Sequence, residues 1–460
     1  MSHLICNNPF TGDEVAQFEL SSLEAATEKI NDLCNSQKSW HQESLEMRIE
    51  LVSTALTYFK TQQEQIALDI CEQMGRPLHQ CSGEINGMLE RANYLCSIAS
   101  KTLADDVFTD QAGFKRSIQH VPLGVIFVIS AWNYPLLITI NSIIPALLAG
   151  NSVLLKHSSI TPKIGEHFER AFSELGQYKD LLKHVIISHH VTGQIIETQK
   201  IDHVIFTGSV NGGKQILSHT AKRFMMPGLE LGGKDATYVH HDAKLDYAVE
   251  SIVDGAMFNS GQSCCGIERA YVHEDIYDEF LEKALKLIST YNLGDPKNPA
   301  TSLGPLATNK AAEFMLNQVA DAKNHGAHVL AGGKIQSINK GMFFEATLIA
   351  NTNHDMQVMR EENFGPILPV MKVKDLDEAI NFVNDSEYGL TSSVFTTNEK
   401  TATLFAQQAE SGTVFMNRCD YLDPALPWTG IKNSGCGSSL SKYGFFHVTR
   451  RKSINFKLTL

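Results

Sequence analysis

The chain has 460 residues, of which 43% are hydrophobic and 20% are charged, and this length accommodates two or three domains with buried cores. Such a composition excludes intrinsic disorder, a collagen-like array and a small disulfide scaffold. The formal net charge is −12, without a dense run of basic residues, so nucleic acid and membrane surfaces are not expected as partners.

The apolar stretches are shorter than the roughly 18–20 residues that a bilayer span needs, as residues 125–129 and 143–149 illustrate. The N-terminal residues lack the basic patch and apolar core of a signal peptide. The nine cysteines are an odd number without C-x-x-C spacing, so we expect reduced thiols and no metal site. A soluble, cytoplasmic protein is therefore expected.

The region from residue 21 to about residue 104 has the pattern of helices. Ser21 and Glu24 have the spacing of a capping box. An apolar-periodic stretch over residues 46–77 ends at a Gly-Arg-Pro helix-stop signal. Residues 80–104 repeat the pattern, which predicts further helix.

After this region, short β-branched runs alternate with helical stretches, which is the pattern of parallel sheets built from βαβ units. The first set of predicted strands covers residues 125–130, 153–156, 184–188 and 203–207. The second set covers residues 236–240, 270–273, 328–331, 367–373, 392–396 and 413–417, with helices near 246–258, 274–290, 310–325 and 375–384. Two α/β domains of similar style are predicted.

Polar residues follow three predicted strands at their carboxyl ends, where parallel sheets bind ligands. Trp132 and Asn133 follow the first strand, Lys156 to Ser159 the second, and a turn from Gly208 to Gly213 the third. A glycine turn that opens a helix offers free backbone N–H groups to a phosphate. The Gly-Ser-x-x-Gly-Gly pattern differs from the dinucleotide fingerprint, so an ordinary tight turn remains an alternative.

Three further segments carry candidate chemistry. Glu230 lies among apolar residues before a glycine pair, where burial would suit it to general base work; the alternative is a helix cap or a pair with Lys234. Cys264 follows a glycine turn and is either a nucleophile or an inert core thiol. Glu362 and Phe364 could hold a ribose diol and a nicotinamide, or could form a solvated turn.

Together and in this order, these segments resemble the aldehyde dehydrogenase superfamily over nearly the whole chain. The succinate-semialdehyde dehydrogenase-like members are nearest, through length and the Ser441-Lys442-Tyr443-Gly444 segment. The resemblance rests on seven motifs: Asn8-Pro9-Phe10-Thr11-Gly12, Trp132-Asn133-Tyr134-Pro135, Phe206-Thr207-Gly208-Ser209, Leu229-Glu230-Leu231-Gly232-Gly233-Lys234, Gly261-Gln262-Ser263-Cys264, Glu361-Glu362-Asn363-Phe364-Gly365-Pro366, and Pro427-Trp428-Thr429-Gly430-Ile431-Lys432-Asn433-Ser434-Gly435.

The resemblance implies an α/β fold with three parts. The first is a Rossmann-like nucleotide-binding domain formed by residues 1–104 and 122–232. The second is an α/β catalytic domain over residues 233–435. The third is a small β oligomerisation arm made from residues 105–121 and 436–460, and a homodimer or homotetramer is expected.

The resemblance also implies the reaction, which is NAD(P)-dependent oxidation of an aldehyde to its carboxylate. Cys264 would attack the aldehyde, and the resulting thiohemiacetal would lose hydride to leave a thioester. Asn133 and the backbone N–H of Cys264 would form the oxyanion hole. Glu230 would activate the water that hydrolyses the thioester.

NAD or NADP is the cofactor that the resemblance implies. Lys156 would reach the adenine ribose, Glu362 would hold the nicotinamide ribose, and Phe364 would flank the ring. The full set of expected cofactor residues is Trp132, Lys156, Ser159, Gly208, Ser209, Gly213, Leu231, Glu362 and Phe364.

Three departures from the family pattern carry expectations. Ser159 stands where NAD-preferring relatives often have a glutamate, so NADP should be accepted. Ser438-Ser439 replaces the common Arg-Glu pair. Asn141 and Phe258 stand where succinate-semialdehyde dehydrogenases usually have arginines, so uncharged aldehydes are expected as substrates unless another cation, such as Arg418, anchors a carboxylate.

Other functions remain open at this point. One alternative is a succinate-semialdehyde dehydrogenase with a different carboxylate anchor. Phosphorylating or coenzyme A-acylating relatives typically lack the base at Glu230. A cysteine hydrolase acting on esters would need a histidine beside Cys264, and pairs such as His189-His190 and His240-His241 lie in no recognised partner motif. A non-catalytic role would require a lost nucleophile.

Overall fold

The computed structural model describes residues 3–459; residues 1, 2 and 460 of the expected domain segments lie outside this range. The helices are α1 (Leu23–Trp40), α2 (Leu45–Thr61), α3 (Gln63–Met74), α4 (Leu78–Thr102), α5 (Pro135–Leu148), α6 (Pro162–Ser173), α7 (His189–Glu197), α8 (Val210–Ala221), α9 (Leu245–Met257), α10 (Tyr277–Ile288), α11 (Asn309–Asn324), α12 (Gln357–Arg360), α13 (Leu376–Asn384), α14 (Glu399–Gln408) and α15 (Ser441–His447).

The strands are β1 (His3–Asn7), β2 (Glu14–Glu19), β3 (Asp106–Phe108), β4 (Phe114–Pro122), β5 (Val125–Ile129), β6 (Ser152–Lys156), β7 (Leu182–His184), β8 (His203–Thr207), β9 (Gly228–Glu230), β10 (Ala236–Val239), β11 (Arg269–His273), β12 (His328–Ala331), β13 (Ile335–Ile338), β14 (Gly341–Phe344), β15 (Thr347–Ala350), β16 (Ile367–Val373), β17 (Tyr388–Gly389), β18 (Thr391–Phe395), β19 (Thr413–Met416), β20 (Ile431–Lys432), β21 (Gly435–Cys436) and β22 (Thr449–Lys457).

The N-terminal helices follow the predicted pattern with two differences. The cap of α1 is Ser22, not Ser21, because the Ser22 hydroxyl accepts the Ala25 N–H while the Ser21 N–H is bonded to the Ile186 carbonyl. The predicted stretch over 46–77 is split into α2 and α3 at Gln62. The stop signal is correct, since Gly75 adopts the left-handed conformation that ends α3.

The first large sheet has the strand order β21-β9-β8-β5-β6-β7, parallel except for β21. Apolar clusters cover both faces, as expected for strands that read as continuous apolar runs. The predicted strand over 184–188 is displaced, because the pairing with β6 involves Leu182 to His184 and the chain then leaves the sheet. The carboxyl ends of β5, β6 and β8 lie along one edge.

The second large sheet has the order β12-β15-β16-β11-β10-β18-β19. Its strands are parallel except for β12, and apolar clusters again cover both faces. The prediction of two α/β units of similar style is therefore confirmed. The segment that links α9 to β11 carries Cys264 and lies between the two sheets, beside the carboxyl end of β9.

A third sheet joins β22, β4 and β3 in antiparallel order. Its two long strands pair from the Thr449–Pro122 pair to the Lys457–Phe114 pair, which unites the two segments expected to form the arm. Val107, Phe108 and Phe456 of this sheet are exposed. Within residues 3–459, no helix has the length and apolar character required to cross a membrane.

Candidate active site

The segment that carries Cys264 has an unusual backbone. Asn259 and Ser260 have φ values of 54° and 55°, in the left-handed region, just after α9 ends. The Asn259 carboxamide donates to the Gln262 carbonyl at 3.1 Å, and the Gln262 amide donates to the Asn259 carbonyl at 3.1 Å. These reciprocal bonds hold the tight turn that precedes the thiol, and strain of this kind is typical of functional sites.

Two cavities meet at Cys264. The larger has a volume of about 240 Å³ and the smaller about 200 Å³. Four residues line both cavities, namely Thr207, Glu230, Leu231 and Cys264. A reagent in either cavity can therefore reach the thiol and the carboxylate, which is the arrangement that a two-substrate reaction requires.

The two adjacent cysteines differ in environment. Cys264 is partly exposed, whereas Cys265 is 4% exposed. The Cys265 Sγ donates to Asp420 Oδ1 at 2.9 Å. Contact with the Cys264 thiol, burial and the Asp420 carboxylate all raise the pKa of Cys265 well above its usual value. A thiol held in its neutral form is a poor nucleophile, so this environment favours Cys264 as the reactive residue.

Glu230 ends β9 and is paired in register with Thr207 at the end of β8. Burial raises the pKa of Glu230 above its ordinary value, while hydrogen bonds from Ser439 and Thr207 oppose this rise. The Thr207 hydroxyl donates to Oε2 at 3.2 Å and the Ser439 hydroxyl donates to Oε1. The carboxyl group is thus oriented by two hydroxyls on the wall of both cavities, as a general base should be.

Asn133 lies in the smaller cavity beside Cys264. Within the described part of the chain, its carboxamide and the Cys264 backbone N–H have no hydrogen-bond partner, so both donors are available to an oxyanion. The Asn133 backbone is fixed from behind, because its carbonyl accepts hydrogen bonds from Arg76 and from the Asn259 carboxamide. Glu84 forms a buried ion pair with Arg76.

Glu84 also holds the start of α5, the helix that follows Asn133. Its Oε1 accepts the Leu136 N–H at 2.8 Å and the Leu137 N–H at 3.1 Å. A carboxylate at a helix N-terminus satisfies free donors and complements the helix dipole. The prediction from sequence assigned no role at the site to Arg76, which belongs to the helix-stop signal before α4, or to Glu84 of α4.

Six of the expected cofactor residues line the smaller cavity together with the three catalytic candidates. They are Trp132, Gly208, Ser209, Leu231, Glu362 and Phe364. The Trp132 and Phe364 rings lie edge to face with centroids 5.7 Å apart. The site therefore has an aromatic wall, a glycine turn and a carboxylate, which fits a nicotinamide dinucleotide.

The glycine turn begins helix α8. The Ser209 hydroxyl caps α8 by accepting the Gly212 N–H at 3.2 Å, which leaves earlier N–H groups free for a phosphate. A Cβ at Gly208 would lie 2.6 Å from the Phe206 ring. Gly213 does not line the cavity; a Cβ there would lie 2.7 Å from Leu231, so this glycine serves close packing of α8 against the cavity wall.

Glu362 lies on the segment between α12 and β16. Its Oε1 accepts the Gly233 N–H at 3.0 Å. Burial, followed by the negative charge of Glu268, raises the pKa of Glu362 to about 8. The interpretation of this segment as a solvated turn is wrong, because Glu362 and Phe364 are partly buried on the cavity wall.

The same segment is held by a buried ion pair. Lys234 Nζ lies 2.8 Å from Glu268 Oε2 and 2.7 Å from Asn363 Oδ1. Glu268 also accepts the backbone N–H groups of Asn363 and Phe364, at 2.8 and 3.0 Å. The alternative pairing of Lys234 with Glu230 is therefore wrong, and Glu268 is a supporting residue that the sequence motifs did not indicate.

Besides Gly213, two further expected cofactor residues lie outside the smaller cavity. Lys156 ends β6, beside Ile129 on β5, and it forms no salt bridge with any residue in the range 3–459. Burial lowers the pKa of Lys156 from its ordinary value. Ser159 is exposed three residues later. Both positions lie near the carboxyl edge of the first sheet, beyond the part of the site that contacts Cys264.

The larger cavity is bounded mainly by aromatic and aliphatic side chains. Asn141 and Phe258, which stand where succinate-semialdehyde dehydrogenases usually have arginines, both line it. Arg91 of α4 lines it as well, a cation that was not predicted from the sequence. Arg418 does not line the cavity; it is exposed and lies over the Tyr421 ring at 3.3 Å.

Among residues 3–459, no histidine lines either cavity, so nothing described there supplies the base that a cysteine hydrolase would need beside Cys264. Residues 3–459 contain no group of three His, Cys, Asp or Glu side chains arranged to hold a metal ion. The nine cysteines are all free. The polar groups that the structure does bring together at the site are a thiol, a carboxyl group and amide donors.

Comparison with known proteins agrees with this geometry. The model of the "Aldehyde dehydrogenase family" matches residues 2–454. An aldehyde dehydrogenase of Paenarthrobacter nicotinovorans is 32% identical over 450 residues, covering 97% of this chain and 98% of that protein. A succinate-semialdehyde dehydrogenase [NADP(+)] of Deinococcus radiodurans is 31% identical over 450 residues, covering 97% and 93%.

A solved structure gives the same result. The succinic semialdehyde dehydrogenase of Streptococcus pyogenes, in complex with NADP+, superposes with a TM-score of 0.94 at 29% identity, covering 99% of this chain and 100% of that one. The chain belongs to the aldehyde dehydrogenase family. It is an oxidoreductase that acts on aldehydes with NAD or NADP.

Proposed function

We propose that this enzyme oxidises small aldehydes to carboxylic acids by a hydrolytic route in which Cys264 is the nucleophile. The observation that carries the proposal is the position of Cys264 and Glu230 on the common wall of two cavities. The larger cavity would hold the aldehyde and the smaller one the nicotinamide. A thiol between them can bond to the first reagent while facing the second.

In the first step the Cys264 thiolate adds to the aldehyde carbon, and the carbonyl oxygen becomes an oxyanion. The Asn133 carboxamide and the Cys264 backbone N–H would donate to this oxygen. Each such donor typically contributes about 10²–10³ in rate. The bonds from Arg76 and Asn259 to the Asn133 carbonyl would keep the amide at a fixed position.

NAD(P), when bound, accepts the hydride that leaves the carbon of the thiohemiacetal. The residues that would hold it are Glu362 at the nicotinamide ribose, Phe364 and Trp132 at the ring, and Ser209 with the α8 N-terminus at the pyrophosphate. Lys156 and Ser159 would lie at the adenine ribose.

In the second step Glu230 would take a proton from water, and the resulting hydroxide would add to the thioester carbon. The tetrahedral oxyanion would again be held by Asn133, and collapse would release the acid and the thiolate. Burial favours the neutral carboxyl group, whereas the hydroxyls of Thr207 and Ser439 favour the carboxylate. This balance suits a group that must gain and release one proton in each cycle.

The proposal also includes the division of the chain into domains, its oligomeric state and its location. Residues 1–104 and 122–232 would form the nucleotide-binding domain, residues 233–435 the catalytic domain, and residues 105–121 with 436–460 the oligomerisation arm. The exposed apolar residues on the arm support a homodimer or homotetramer. Nine free cysteines support a cytoplasmic location.

The test is to incubate the purified enzyme with a panel of aldehydes and with NAD or NADP. We expect reduced cofactor and carboxylic acid to form in equal amounts, without added phosphate or coenzyme A. Thioester products that require coenzyme A would contradict the hydrolytic route. Hydrolysis of esters without any oxidation of aldehydes would contradict the whole proposal.

A further inference from the structure

Arg91 brings a positive charge into the wall of the proposed aldehyde cavity. It lies on α4, seven residues after Glu84, which places the two side chains on one face of the helix. That face packs against α5, where Glu84 bonds the first turn and Arg91 lies beside Asn141. The fold of these two helices therefore directs the guanidinium to the cavity.

The guanidinium uses little of its hydrogen-bonding capacity. Arginine has five N–H donors, and the described structure gives Arg91 one long bond, 3.4 Å from Nη1 to Asn141 Oδ1. It forms no ion pair with any residue in the range 3–459. Burial lowers the pKa of Arg91 from its ordinary value, which reflects desolvation that no bonded carboxylate offsets.

The acidic residues of the cavity are bonded elsewhere. Asp420 accepts hydrogen bonds from Cys265 at 2.9 Å and Ser263 at 3.3 Å. Glu230 accepts from Ser439 and Thr207, and Glu90 is exposed to solvent. In the part of the chain that the structure describes, none of these three carboxylates is bonded to Arg91, so this cation is available to a ligand.

We propose that Arg91, with the Asn141 carboxamide, binds the carboxylate of a small aldehyde that carries an acidic group. This assignment rests on the proposed function of the cavity. A guanidinium can donate two parallel N–H bonds to a carboxylate, and Asn141 can add a third donor. The cavity volume of about 240 Å³ is below the usual range for drug-sized ligands, about 300–1,000 Å³, so the substrate is short.

This proposal replaces the expectation of uncharged substrates, which rested on the absence of arginine at positions 141 and 258. The cation is Arg91 of α4, whereas Asn141 lies on α5 and Phe258 follows α9. Arg91 is one helical turn after Gly87, which also lines the cavity. Arg418 was the carboxylate anchor that the sequence suggested. Its guanidinium stacks on the Tyr421 ring, and Arg418 itself does not line the cavity. The substrate carboxylate would thus meet α4 and not the loop after β19.

The first experiment uses the unmodified enzyme. Succinic semialdehyde and butanal have the same chain length and differ in the terminal carboxylate. We expect kcat/KM for succinic semialdehyde to exceed that for butanal at least tenfold. Succinate should likewise inhibit competitively at about tenfold lower concentration than butanoate. Equal values for both pairs would overturn the proposal.

The second experiment compares Arg91→Met with Arg418→Met, because both remove a cation and keep an apolar chain. A hydrogen bond to a charged group contributes about 1.5–3 kcal/mol, so Arg91→Met should lower the ratio of kcat/KM for succinic semialdehyde over butanal about 10- to 100-fold. Arg418→Met should leave this ratio unchanged. Arg91→Lys should recover part of it.

The outcomes also separate this proposal from the function on which it rests. If Arg91→Met lowers kcat for both aldehydes equally and moves the pH profile of both, Arg91 acts through Glu230 and the carboxylate site is wrong. If the unmodified enzyme oxidises no aldehyde, the proposed function itself fails. If Arg91→Met does not fold, the inhibition by succinate and butanoate in the unmodified enzyme decides the question.

Discussion

Glu230 and Ser439 are joined by a hydrogen bond in which the serine hydroxyl donates to the carboxylate. Ser439 is held in place by a reciprocal backbone pair with Trp428, at 2.8 and 3.0 Å. The common family pattern has a glutamate at this position, and a second carboxylate would raise the pKa of Glu230 by charge repulsion. The serine does the opposite, since its hydroxyl favours the ionised form of the base.

The first prediction follows from this contact. In Ser439→Ala the pKa of Glu230 should rise further, because a bond that lowers it is lost. The base acts only when ionised, so the acid limb of the kcat profile should move to higher pH where hydrolysis limits turnover. A bond of about 1.5 kcal/mol corresponds to about one pH unit. Ser439→Thr, which keeps the hydroxyl, is the matched control and should show the original profile.

The second prediction concerns Glu230 itself. In Glu230→Gln the addition of the thiol and the loss of hydride should still occur, whereas hydrolysis of the thioester should be very slow. Rapid mixing should therefore show a burst of reduced cofactor, followed by slow turnover. Full steady-state turnover in this variant would assign the base to another residue.

The third prediction separates the adjacent thiols. Cys264→Ala should abolish aldehyde oxidation, while Cys265→Ser should retain most of it, because only Cys264 faces both cavities. Iodoacetamide should inactivate the enzyme in proportion to labelling of Cys264, measured by mass spectrometry. A label confined to Cys265 at complete inactivation would reverse the assignment.

The fourth prediction is that NADP is used within about tenfold of NAD in kcat/KM, or about 1.4 kcal/mol. Lys156 has no salt-bridge partner in the described range, and Ser159 is exposed and uncharged. A 2′-phosphate placed there would meet a cation and a hydroxyl. In Ser159→Glu the ratio of NADP to NAD efficiency should fall, because the carboxylate repels the phosphate. Strict NAD dependence of the unmodified enzyme would refute the prediction.

The fifth prediction concerns pH and cofactor affinity. The pKa of Glu362 is raised to about 8 by burial and by Glu268, and a ribose diol donates best to an ionised carboxylate. Below this pKa, binding must expel a proton, so Kd for NAD should decrease as the pH rises from 6.5 toward 9. Titration calorimetry in two buffers would measure the proton release. A Glu362→Gln variant should release no proton at this site when the cofactor binds. If it releases as many protons as the unmodified enzyme, Glu362 is not the titrating group.

The sequence predicted most elements that depend on local pattern. Strands β8, β12 and β16 have the predicted bounds. For β8 and β16 the reason is that buried parallel strands are largely continuous apolar runs. Strand β12 is instead an antiparallel edge strand whose residues alternate between exposed and partly buried. The N-terminal hairpin of β1 and β2 was missed, because its residues are largely exposed and lack a clear apolar alternation. The predicted end of β7 was wrong because Val185 and Ile187 are apolar like strand residues, but they are buried after the chain has left the sheet.

The candidate site was predictable where the residues are adjacent in the chain. Trp132, Gly208, Ser209 and Leu231 lie on one cavity wall because each follows a strand. The supporting residues were not predictable in this way. Arg76, Glu84 and Glu268 act through contacts across 57, 52 and 95 positions of the chain.

Arg91 belongs to the same class of residue. In the sequence, Arg91 is a charged residue on the face of α4 that is otherwise apolar, next to the buried Met88, Ala92 and Leu95. Periodicity alone shows which side of a helix faces inward. It does not show whether that side meets a core or a cavity.

The segment of Cys264 and the segment of Glu362 touch at two glycines. A Cβ on Gly261, whose φ is +68°, would lie 2.2 Å from the backbone carbonyl of Gly365. Any side chain at position 261 would therefore force the two peptide backbones apart and push the Glu362 segment away from the thiol. The missing Cβ is what allows Phe364 and Cys264 to share one cavity wall.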